Sequence, residues 1–549
     1  MAAAADPVGP AAPPRAGGPV AGSPATTAAP GIGIAGAGGP VPRWMFAAVV
    51  AAVAIAWANA FPGAFQFDDY AVIVDNPAVQ RWTAFFASMP GIRPVLKASY
   101  ALSWTAGGGT PTAFVAFNVA IHAANAVLVL LLTGRVLALA APELRPRAGI
   151  ALATALLFAL HPAQTEAVTW IAGRATSLSA FFCLVAIVAW LRGDDRATAS
   201  PTPEATSVPA SEAAAGRVAR GSGWRAAAMA ALVAALAVKE TAVTVPFALL
   251  LLEAVRRAGP SAAGESRPGA PARPWRDAWR ATRMPFALLA LTAVAAWSLP
   301  TYRRLAAASL DTRGPLANLA AQVDGLAYLI TDPLLRLRVN IDPAIPLTAF
   351  GAQWWLAAAA LVALGLFTAH ALSARPGVAP GGDVVGAAEA GAAAGRVAWR
   401  SPLVGFALAW FLLHLAPTNS LLARFDLAND RQLYLALIGP ALIAAAAVPS
   451  WRARQRHRGG WSVVVPALVV AALLGGATIA RNRDYASEVA LWEATVRAAP
   501  AKARVWNNLG YAYEQAGRRG DARRAYERAL ALDADHYKAR SNLNLLGDP

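Results

Sequence analysis

Residues 112–133 read TAFVAFNVAIHAANAVLVLLLT and contain no charged side chain. A transmembrane α-helix needs about 20 mainly apolar residues, so this run is long enough to cross a bilayer. Further apolar blocks begin near residues 44, 149, 176, 225, 241, 284, 352, 402, 432 and 461. The whole chain is 57% hydrophobic and only 14% charged, with a mean hydropathy of +0.44. The sequence therefore predicts an all-α, polytopic membrane bundle of about 11 spans.

The distribution of charge predicts how the bundle lies in the membrane. A net charge of +17 would suggest nucleic-acid binding in a soluble protein, but cytoplasmic loops of membrane proteins collect Lys and Arg. With the N-terminus inside, the inner loops carry roughly twice as many Lys and Arg residues as the outer loops. We expect a cytoplasmic N-terminus, an extracytoplasmic C-terminus and no nucleic-acid partner. The bacterial-looking composition indicates the inner (cell) membrane.

Composition also divides the chain into three regions. Residues 1–43 are rich in Pro, Gly and Ala and are expected to be a disordered cytoplasmic tail. Residues 44–482 hold the apolar blocks and form the transmembrane domain, with low-complexity linkers at 193–224, 256–283 and 373–401. Residues 483–549 are an extracytoplasmic tail. The only cysteine, Cys183, excludes an intrachain disulfide.

The tail carries a repeat pattern. Its residues fit one 34-residue tetratricopeptide unit, with a half-unit before it and a final helix after it. The pattern consists of Trp506, Leu509, Gly510, Tyr513, Ala522, Tyr526 and Ala529. Stacked repeats usually need about three units to bury a core, so this short α-solenoid is expected to dock on the membrane domain or on a partner.

An acidic pair follows the first predicted span, in Phe67-Asp68-Asp69-Tyr70. Two adjacent carboxylates at a membrane surface repel each other and lose hydration, so one pKa should rise. A carboxylate in this position can act as a general base that takes the proton of an acceptor hydroxyl. A solvated pair that caps a loop is the alternative interpretation.

A second group of polar residues contains His161, Glu166, Trp170 and Arg174. If the segment is helical, Glu166, Trp170 and Arg174 share one face, because they are spaced by four. Arg174 could hold a phosphate, since a guanidinium grips phosphate oxygens in a bidentate manner. The alternative is a Glu–Arg pair that only locks two helices together.

Other polar residues have structural alternatives of similar weight. Asn118, His122 and Asn125 share a face of the second span and are expected to form interhelical hydrogen bonds. Lys239 and Glu240 are predicted at a turn on the outer face, where a local ion pair is the alternative.

Several cations fall in the predicted outer loops. These cations are Arg93, Lys97, Arg336 and Arg338. They could bind a phosphate, or they could only contact lipid and solvent. Arg431 follows in a last polar loop. We find no phosphate-cradling glycine loop, zinc motif or nucleophile elbow, and we predict no metal and no cofactor.

Together these motifs resemble the transmembrane and tetratricopeptide-repeat O-mannosyltransferases and their bacterial relatives, which have the GT-C glycosyltransferase fold. The resemblance rests on the order of Phe67-Asp68-Asp69, Asn76-Pro77, Arg93-Pro94, His161-Pro162 through Gly173-Arg174, Lys239-Glu240, Pro417-Thr418-Asn419, Arg431 with Tyr434, and Arg481-Asn482-Arg483 ahead of Trp492.

The resemblance implies an inverting transferase that uses a polyprenyl-phosphate sugar on the non-cytoplasmic side, with mannose as the candidate sugar. Asp68 matches the catalytic base, and Asp69 takes the neighbouring acidic position. The predicted ligands of the donor phosphate are Arg174, Arg93, Lys97, Arg336 and Arg338. The predicted supporting residues are His161, Glu166, Trp170, His122, Lys239, Glu240 and Arg431. The acceptor would be a protein Ser or Thr or a glycan, contacted by the tail, and membrane lipids would be further partners.

Two other interpretations stay open at this point. The chain could be a non-catalytic envelope scaffold with a peptide-binding tail, in which case Asp68 and Arg174 should tolerate substitution. It could instead be a glycan polymerase or ligase, which would use a diphosphate-linked donor and a centre of arginines and a histidine. A transporter is less favoured, because no inverted repeat is evident.

Overall fold

The computed structural model describes residues 41–89, 91–142, 144, 147–198, 210–258, 274–348, 350–373, 401–420, 423–454 and 461–547. These residues form helices and connecting turns and contain no β-strand, which confirms the predicted all-α class. Residues 1–40 of the predicted cytoplasmic tail lie outside the described residues, as do parts of the three predicted linkers.

The helices follow one another along the whole described chain. The first ones are α1 (Arg43–Ala56), α2 (Pro77–Gln80), α3 (Trp82–Ala87), α4 (Pro94–Gly107), α5 (Pro111–Ala140), α6 (Arg147–Leu160), α7 (Thr165–Val168), α8 (Arg174–Thr198), α9 (Ala210–Val238) and α10 (Thr244–Ala258). The next are α11 (Pro274–Ser298), α12 (Pro300–Thr312), α13 (Pro315–Leu329), α14 (Ala352–Ser373), α15 (Pro402–Leu415), α16 (Leu433–Ala436), α17 (Ile438–Arg454) and α18 (Trp461–Asp484). The tail contains α19 (Glu488–Ala498), α20 (Ala503–Gln515), α21 (Arg519–Leu532) and α22 (Tyr537–Leu546).

Six helical segments in the described part of the chain are long and apolar enough to cross a membrane: Arg43–Ala60, Pro111–Ala140, Ile171–Asp194, Gly221–Val238, Pro274–Ser298 and Ala352–Ser373. The number is eight if two bent pairs each count as one span, with bends of 55° after Leu160 and 57° after Ala436. The chain is a multi-pass membrane protein, but the predicted number of about 11 spans is not confirmed. The apolar blocks near 241 and 402 form helices of 15 and 14 residues, which are short for a span.

The polar segments meet at one end of the bundle, which we call the tail end. Asn482, near the end of α18, donates a hydrogen bond to the Ala56 carbonyl of α1 at 3.0 Å, and its side-chain oxygen accepts one from Thr169 at 2.6 Å. Thr112, at the start of α5, donates to the Phe61 carbonyl at 3.2 Å. The loops that carry the candidate residues are therefore gathered above one end of the helices.

The predicted interhelical hydrogen bonds of the second span are present. The two ring nitrogens of His122 lie 2.7 Å from the Tyr434 hydroxyl and 3.0 Å from the Ala159 carbonyl. Asn125 donates to the Ser177 carbonyl at 2.9 Å and to the Tyr434 hydroxyl at 3.0 Å. His122 therefore lies in the packed core, where it joins α5, α6 and α16.

The tail docks on the membrane domain, which is one of the two alternatives that its shortness predicts. Trp170 of the membrane domain is part of the hydrophobic core of the tail, beside Trp492. The rings of Phe67 and Trp492 are 5.5 Å apart, and the Gln66 side chain donates to the Tyr485 carbonyl at 2.5 Å. The first loop of the membrane domain is thereby held directly against the first tail helix, α19.

Ion pairs hold the second tail helix as well. The buried carboxylate of Asp342 accepts hydrogen bonds from Lys502 at 2.5 Å and from Arg504. Arg504 also contacts Asp426 at 2.8 Å and lies over the Phe425 ring. The start of α20 is thus fixed to two separate loops of the membrane domain.

Candidate active site

The two predicted catalytic carboxylates have different environments. Asp69 is fully buried, and its two oxygens accept hydrogen bonds from the Gln66 amide at 2.9 Å and from the Ala172 amide at 2.7 Å. Burial raises the pKa of Asp69 well above its usual range, while the two amide hydrogen bonds oppose this shift. Asp69 therefore joins the first loop to the turn before α8.

Asp68 is exposed, and its carboxylate accepts no hydrogen bond from the described residues. Partial burial and Asp426 raise the pKa of Asp68, and the positive charge of Arg431 opposes them. The preceding residue, Phe67, adopts the left-handed conformation at φ 51°, which costs energy for a residue with a side chain. Packing of Phe67 on Trp492 holds this backbone, so Asp68 is presented outward and is open to a ligand.

The segment from His161 to Arg174 is not one continuous helix. A shared face of Glu166, Trp170 and Arg174 would require such a helix. α7 ends at Val168, Trp170 is extended, and α8 begins only at Arg174. The predicted common face of Glu166, Trp170 and Arg174 is therefore wrong. The partner of Glu166 is Arg431, whose amide and guanidinium lie 2.9 and 3.1 Å from the two carboxylate oxygens. The Arg431 guanidinium also stacks on the Trp170 ring at 4.9 Å.

Arg174 is completely buried among protein oxygens. Its guanidinium donates to Asn118 Oδ1 at 2.6 Å, the Ser99 carbonyl at 2.8 Å, Ser103 Oγ at 2.9 Å and the Phe114 carbonyl at 3.0 Å. These bonds occupy most of the five donors of the side chain. Arg174 thus joins α4, α5 and α8, and this placement disfavours the predicted contact with a donor phosphate.

The turn before α8 requires a glycine. A Cβ atom added to Gly173 would lie 2.1 Å from the Glu166 carbonyl oxygen, so the backbone of this turn or of the segment at Glu166 must shift. We expect Gly173→Ala to destabilise the protein by about 1–3 kcal/mol, which thermal unfolding in detergent would measure. Gly314→Ala is the matched control, since nothing lies within 4 Å of an added Cβ there. Equal melting of both variants would contradict the close packing of this turn.

Arg93 and Glu240 form a bidentate pair, with Nε–Oε1 and Nη2–Oε2 distances of 3.1 and 2.6 Å. The alternative of a local Lys239–Glu240 pair is therefore not what the structure shows. Lys97, one turn after Arg93 in α4, makes no ion pair with a described residue. His161 lies at the bend between α6 and α7, where its Nδ1 accepts a hydrogen bond from the Ala163 amide at 3.2 Å.

A narrow cavity brings together three cations, and we call it the Lys239 cavity. Lys239, Arg424 and Arg431 line it, and Lys239 donates to Thr176 Oγ1 at 2.7 Å. Glu166 neutralises Arg431, but Arg424 has no hydrogen bond or ion pair with any described residue. Burial and the nearby Arg431 lower the pKa of Arg424 to about 10. The cavity therefore holds an excess of positive charge, and no motif in the sequence indicates the role of Arg424 in it.

The wall of the Lys239 cavity also contains unpaired amides. The side-chain oxygen and nitrogen of both Asn429 and Gln432 are buried and have no partner among the described residues. Leaving a buried polar group unpaired costs about 1–3 kcal/mol, so these groups favour a polar ligand. The cavity measures about 40 Å³, which is room for about three water molecules and suits a small anionic group.

Arg336 and Arg338 do not reach this cavity. They line a second, wider cavity of about 1110 Å³ together with Arg481 and Arg497, which we call the Arg481 cavity. Of the five cations that the sequence predicts as ligands of one donor phosphate, only Arg336 and Arg338 line this cavity, and none lines the Lys239 cavity. Among the described residues, no group of three or more His, Cys, Asp or Glu residues is arranged to hold a metal ion.

The helical bundle and its docked tail define a multi-pass membrane protein with a tetratricopeptide segment. The tetratricopeptide repeat family matches residues 503–536. No solved structure matches the chain.

The chain is similar to proteins named protein O-mannosyl-transferase, which confirms the predicted resemblance. It is 32% identical to TMTC1 of Mus musculus over 187 residues, which is 31% of this chain and 19% of that protein. It is 38% identical to Tmtc1 of Drosophila melanogaster over 100 residues (18% and 11%), and 29% identical to TMTC4 of Homo sapiens over 179 residues (28% and 23%). The chain thus matches less than a quarter of the length of each of these relatives.

Proposed function

We propose that this protein is a membrane glycosyltransferase of the GT-C type that moves a sugar from a polyprenyl-phosphate carrier to a hydroxyl group of a protein. The observation that carries the proposal is the open carboxylate of Asp68 beside a cavity lined by cations. Arg431 links the two, because it lines the cavity and is also the cation that acts on the charge of Asp68. A base and an anion site that share the neighbour Arg431 fit a transfer reaction with a phosphate leaving group.

The donor phosphate would occupy the Lys239 cavity. Lys239, Arg424 and Arg431 would surround its oxygens, and the unpaired amides of Asn429 and Gln432 would complete the hydrogen bonds. The cavity is too small for a phosphate and a hexose together, so the sugar would project from its mouth. Negative charge grows on the phosphate as it leaves, and fixed cations stabilise that charge.

Transfer would be a single displacement. The acceptor oxygen forms a bond with the anomeric carbon while the bond from that carbon to the phosphate oxygen breaks. Asp68 takes the proton of the acceptor hydroxyl, and the polyprenyl phosphate leaves as an anion from the opposite face of the sugar. The anomeric centre is therefore inverted. No cofactor or metal is part of the proposal.

The names of the relatives, protein O-mannosyl-transferases, indicate the sugar and the acceptor. We propose mannose as the sugar and a Ser or Thr of a protein as the acceptor, which would reach Asp68 next to the docked tail. The tail end of the bundle would face the extracytoplasmic side and the N-terminus the cytoplasm, in keeping with the bias of Lys and Arg. The membrane would be the bacterial inner membrane.

The charge state of Lys239 should make donor binding depend on pH. Burial lowers the pKa of Lys239 well below its usual value; Arg431, Arg424 and Arg93 lower it further, and Glu240 opposes them. A bound phosphate would raise this pKa again, so binding takes up a proton and weakens as pH rises through the pKa of the free site. Affinity of the purified protein for polyprenyl phosphate, measured across pH, should show this loss. Lys239→Gln should bind more weakly and without this pH dependence.

The decisive experiment uses the full chain in lipid nanodiscs with labelled polyprenyl-phosphate mannose and a mixture of secreted proteins as acceptors. Label in protein that is released by β-elimination would support the proposal, because that treatment cleaves sugars from Ser and Thr. Consumption of a diphosphate-linked glycan with no use of the monophosphate donor would instead indicate a polymerase or ligase. If neither donor is used and the tail binds peptides, the protein would be a scaffold.

A further inference from the structure

The Arg481 cavity lies apart from the proposed reaction site. It is bounded by α13 and the segment after it, the first turns of α14, the end of α18, and α19. None of its lining residues lines the Lys239 cavity. At about 1110 Å³ it is large enough for the headgroup of a lipid.

The cations of this cavity are only partly neutralised. Arg338 and Arg497 are exposed and make no ion pair with a described residue. Arg336 is 3.6 Å from Asp332, and both side chains are accessible to solvent, so this pair contributes little. Asp324 is occupied by the amide and hydroxyl of Thr348 at 3.1 and 2.6 Å. The wall therefore presents two guanidinium groups without an ion pair, those of Arg338 and Arg497.

A buried guanidinium gives the cavity vacant donors. Arg481 is 7% exposed and donates through Nη1 to Asp484 at 2.8 Å. Its Nε and Nη2 are buried and have no partner among the described residues, although the group stacks on the Tyr485 ring. The Tyr328 hydroxyl, also in this wall, is buried and unpaired. Buried donors of this kind are almost always satisfied, so Arg481 and Tyr328 are suited to donate to an acceptor group that enters the cavity.

The position of α14 places the cavity at the membrane surface. α14 is an apolar segment whose spanning window is only 11% buried within the protein, so its sides face lipid. Phe350, Trp354 and Trp355 cluster at its start, and Phe350 and Trp355 are largely exposed. Aromatic residues of this type lie at the headgroup level of a bilayer. Gln353 and Ala357 of the first turns line the cavity, which therefore opens at that level.

We propose that the Arg481 cavity binds the phosphate of an anionic phospholipid, as a second phosphate site distinct from that of the donor. Basic pockets between helices at the membrane surface bind such headgroups. Arg481 and Tyr328 donate to the phosphate oxygens, and Arg338 and Arg497 approach it from the mouth. The acyl chains lie along the exposed face of α14. Free phosphate has the same chemistry, but the lipid-facing helix and the aromatic cluster favour the lipid.

Two acidic residues lie beside the cavities. Asp430 accepts a hydrogen bond at 2.7 Å from the amide of Asn340, which lines the Arg481 cavity. Glu166 pairs with Arg431, which lines the Lys239 cavity. These two carboxyl groups contact the walls of the two cavities, and no residue lines both, so each cavity takes its own anion.

Native mass spectrometry of the full chain in a neutral detergent tests the proposal. We expect one phosphatidylglycerol molecule to be bound more tightly than phosphatidylcholine, and the Arg338→Gln/Arg497→Gln double variant to lose about tenfold or more in affinity. Both side chains are exposed, so the fold does not depend on them. Arg481→Gln should lose at least as much. Arg303→Gln/Arg304→Gln is the matched control, with two exposed arginines of α12, and should bind phosphatidylglycerol as the wild type does.

Three results would overturn the proposal. The first is an equal affinity for phosphatidylcholine and phosphatidylglycerol. The second is an equal loss of affinity in the Arg303→Gln/Arg304→Gln control. The third is binding of inorganic phosphate at the site without any preference for phosphatidylglycerol. The measurement needs no sugar transfer. Asp68→Asn should bind phosphatidylglycerol normally, so the failure of one proposal can be told from the failure of the other.

Discussion

Asp68→Asn should lower sugar transfer by about 10²–10⁴-fold and leave donor binding intact. The amide has the size and shape of the carboxylate but cannot accept the proton of the acceptor hydroxyl. No described residue donates a hydrogen bond to Asp68, so the substitution should not disturb the fold. Transfer of labelled mannose and binding of polyprenyl phosphate, measured on the same preparation, separate the two effects.

The neighbouring acids supply the comparison. Asp75→Asn changes an exposed acid of the same loop and should transfer sugar normally. Asp69→Asn should instead reduce folding stability, because one Asp69 oxygen would become an amide nitrogen facing a backbone donor. Partial burial raises the pKa of Asp68, so wild-type activity should be lost as pH falls through that raised value. Normal transfer by Asp68→Asn would exclude Asp68 as the base.

Arg424→Gln should reduce transfer by about 10²–10³-fold, as expected when one group that stabilises a developing anion is removed. The fold has no evident need of this cation, since Arg424 pairs with no described residue and is repelled by Arg431. The variant should therefore melt at or above the wild-type temperature while donor affinity falls. The substitution is expected to keep or raise the stability and to lower the activity, as is typical of a residue that serves binding at a cost in stability.

Two further variants test this interpretation. Arg304→Gln removes an exposed arginine of α12 and should change neither stability nor transfer. Arg431→Gln should lose both, because the buried Glu166 would be left without its partner. If Arg424→Gln bound and used the donor as the wild type does, the Lys239 cavity would not be the site of the phosphate.

Local patterns in the sequence are enough to predict a raised pKa in the acidic pair, the interhelical hydrogen bonds of His122 and the docking of the tail. Each of these depends on neighbours within one helix or on the amount of core that a short repeat can bury. The partner of Glu166 could not be predicted, because Arg431 lies 265 positions away along the chain. The spacing of four to Arg174 was misleading, since the chain is extended at Trp170.

The grouping of the cations was equally hidden in the sequence. Arg424 appears there as a single basic residue in a polar loop, and only the packing of that loop against α8 and the turn at Lys239 reveals the cavity that we propose as the anion site. Arg336 and Arg338 look like further ligands of the same phosphate, yet they face a different cavity. Charge can be counted along a chain, but its division between sites depends on the tertiary fold.

The contact between α19 and the first loop has a mechanical consequence. Only three residues separate α18 from α19, and α19 bears on Phe67, the residue next to Asp68. The membrane helix, the tail and the first loop are therefore connected through short and direct contacts. A displacement of the repeats, for example when a large protein binds to them, would be transmitted to the carboxylate of Asp68 within a few side-chain contacts.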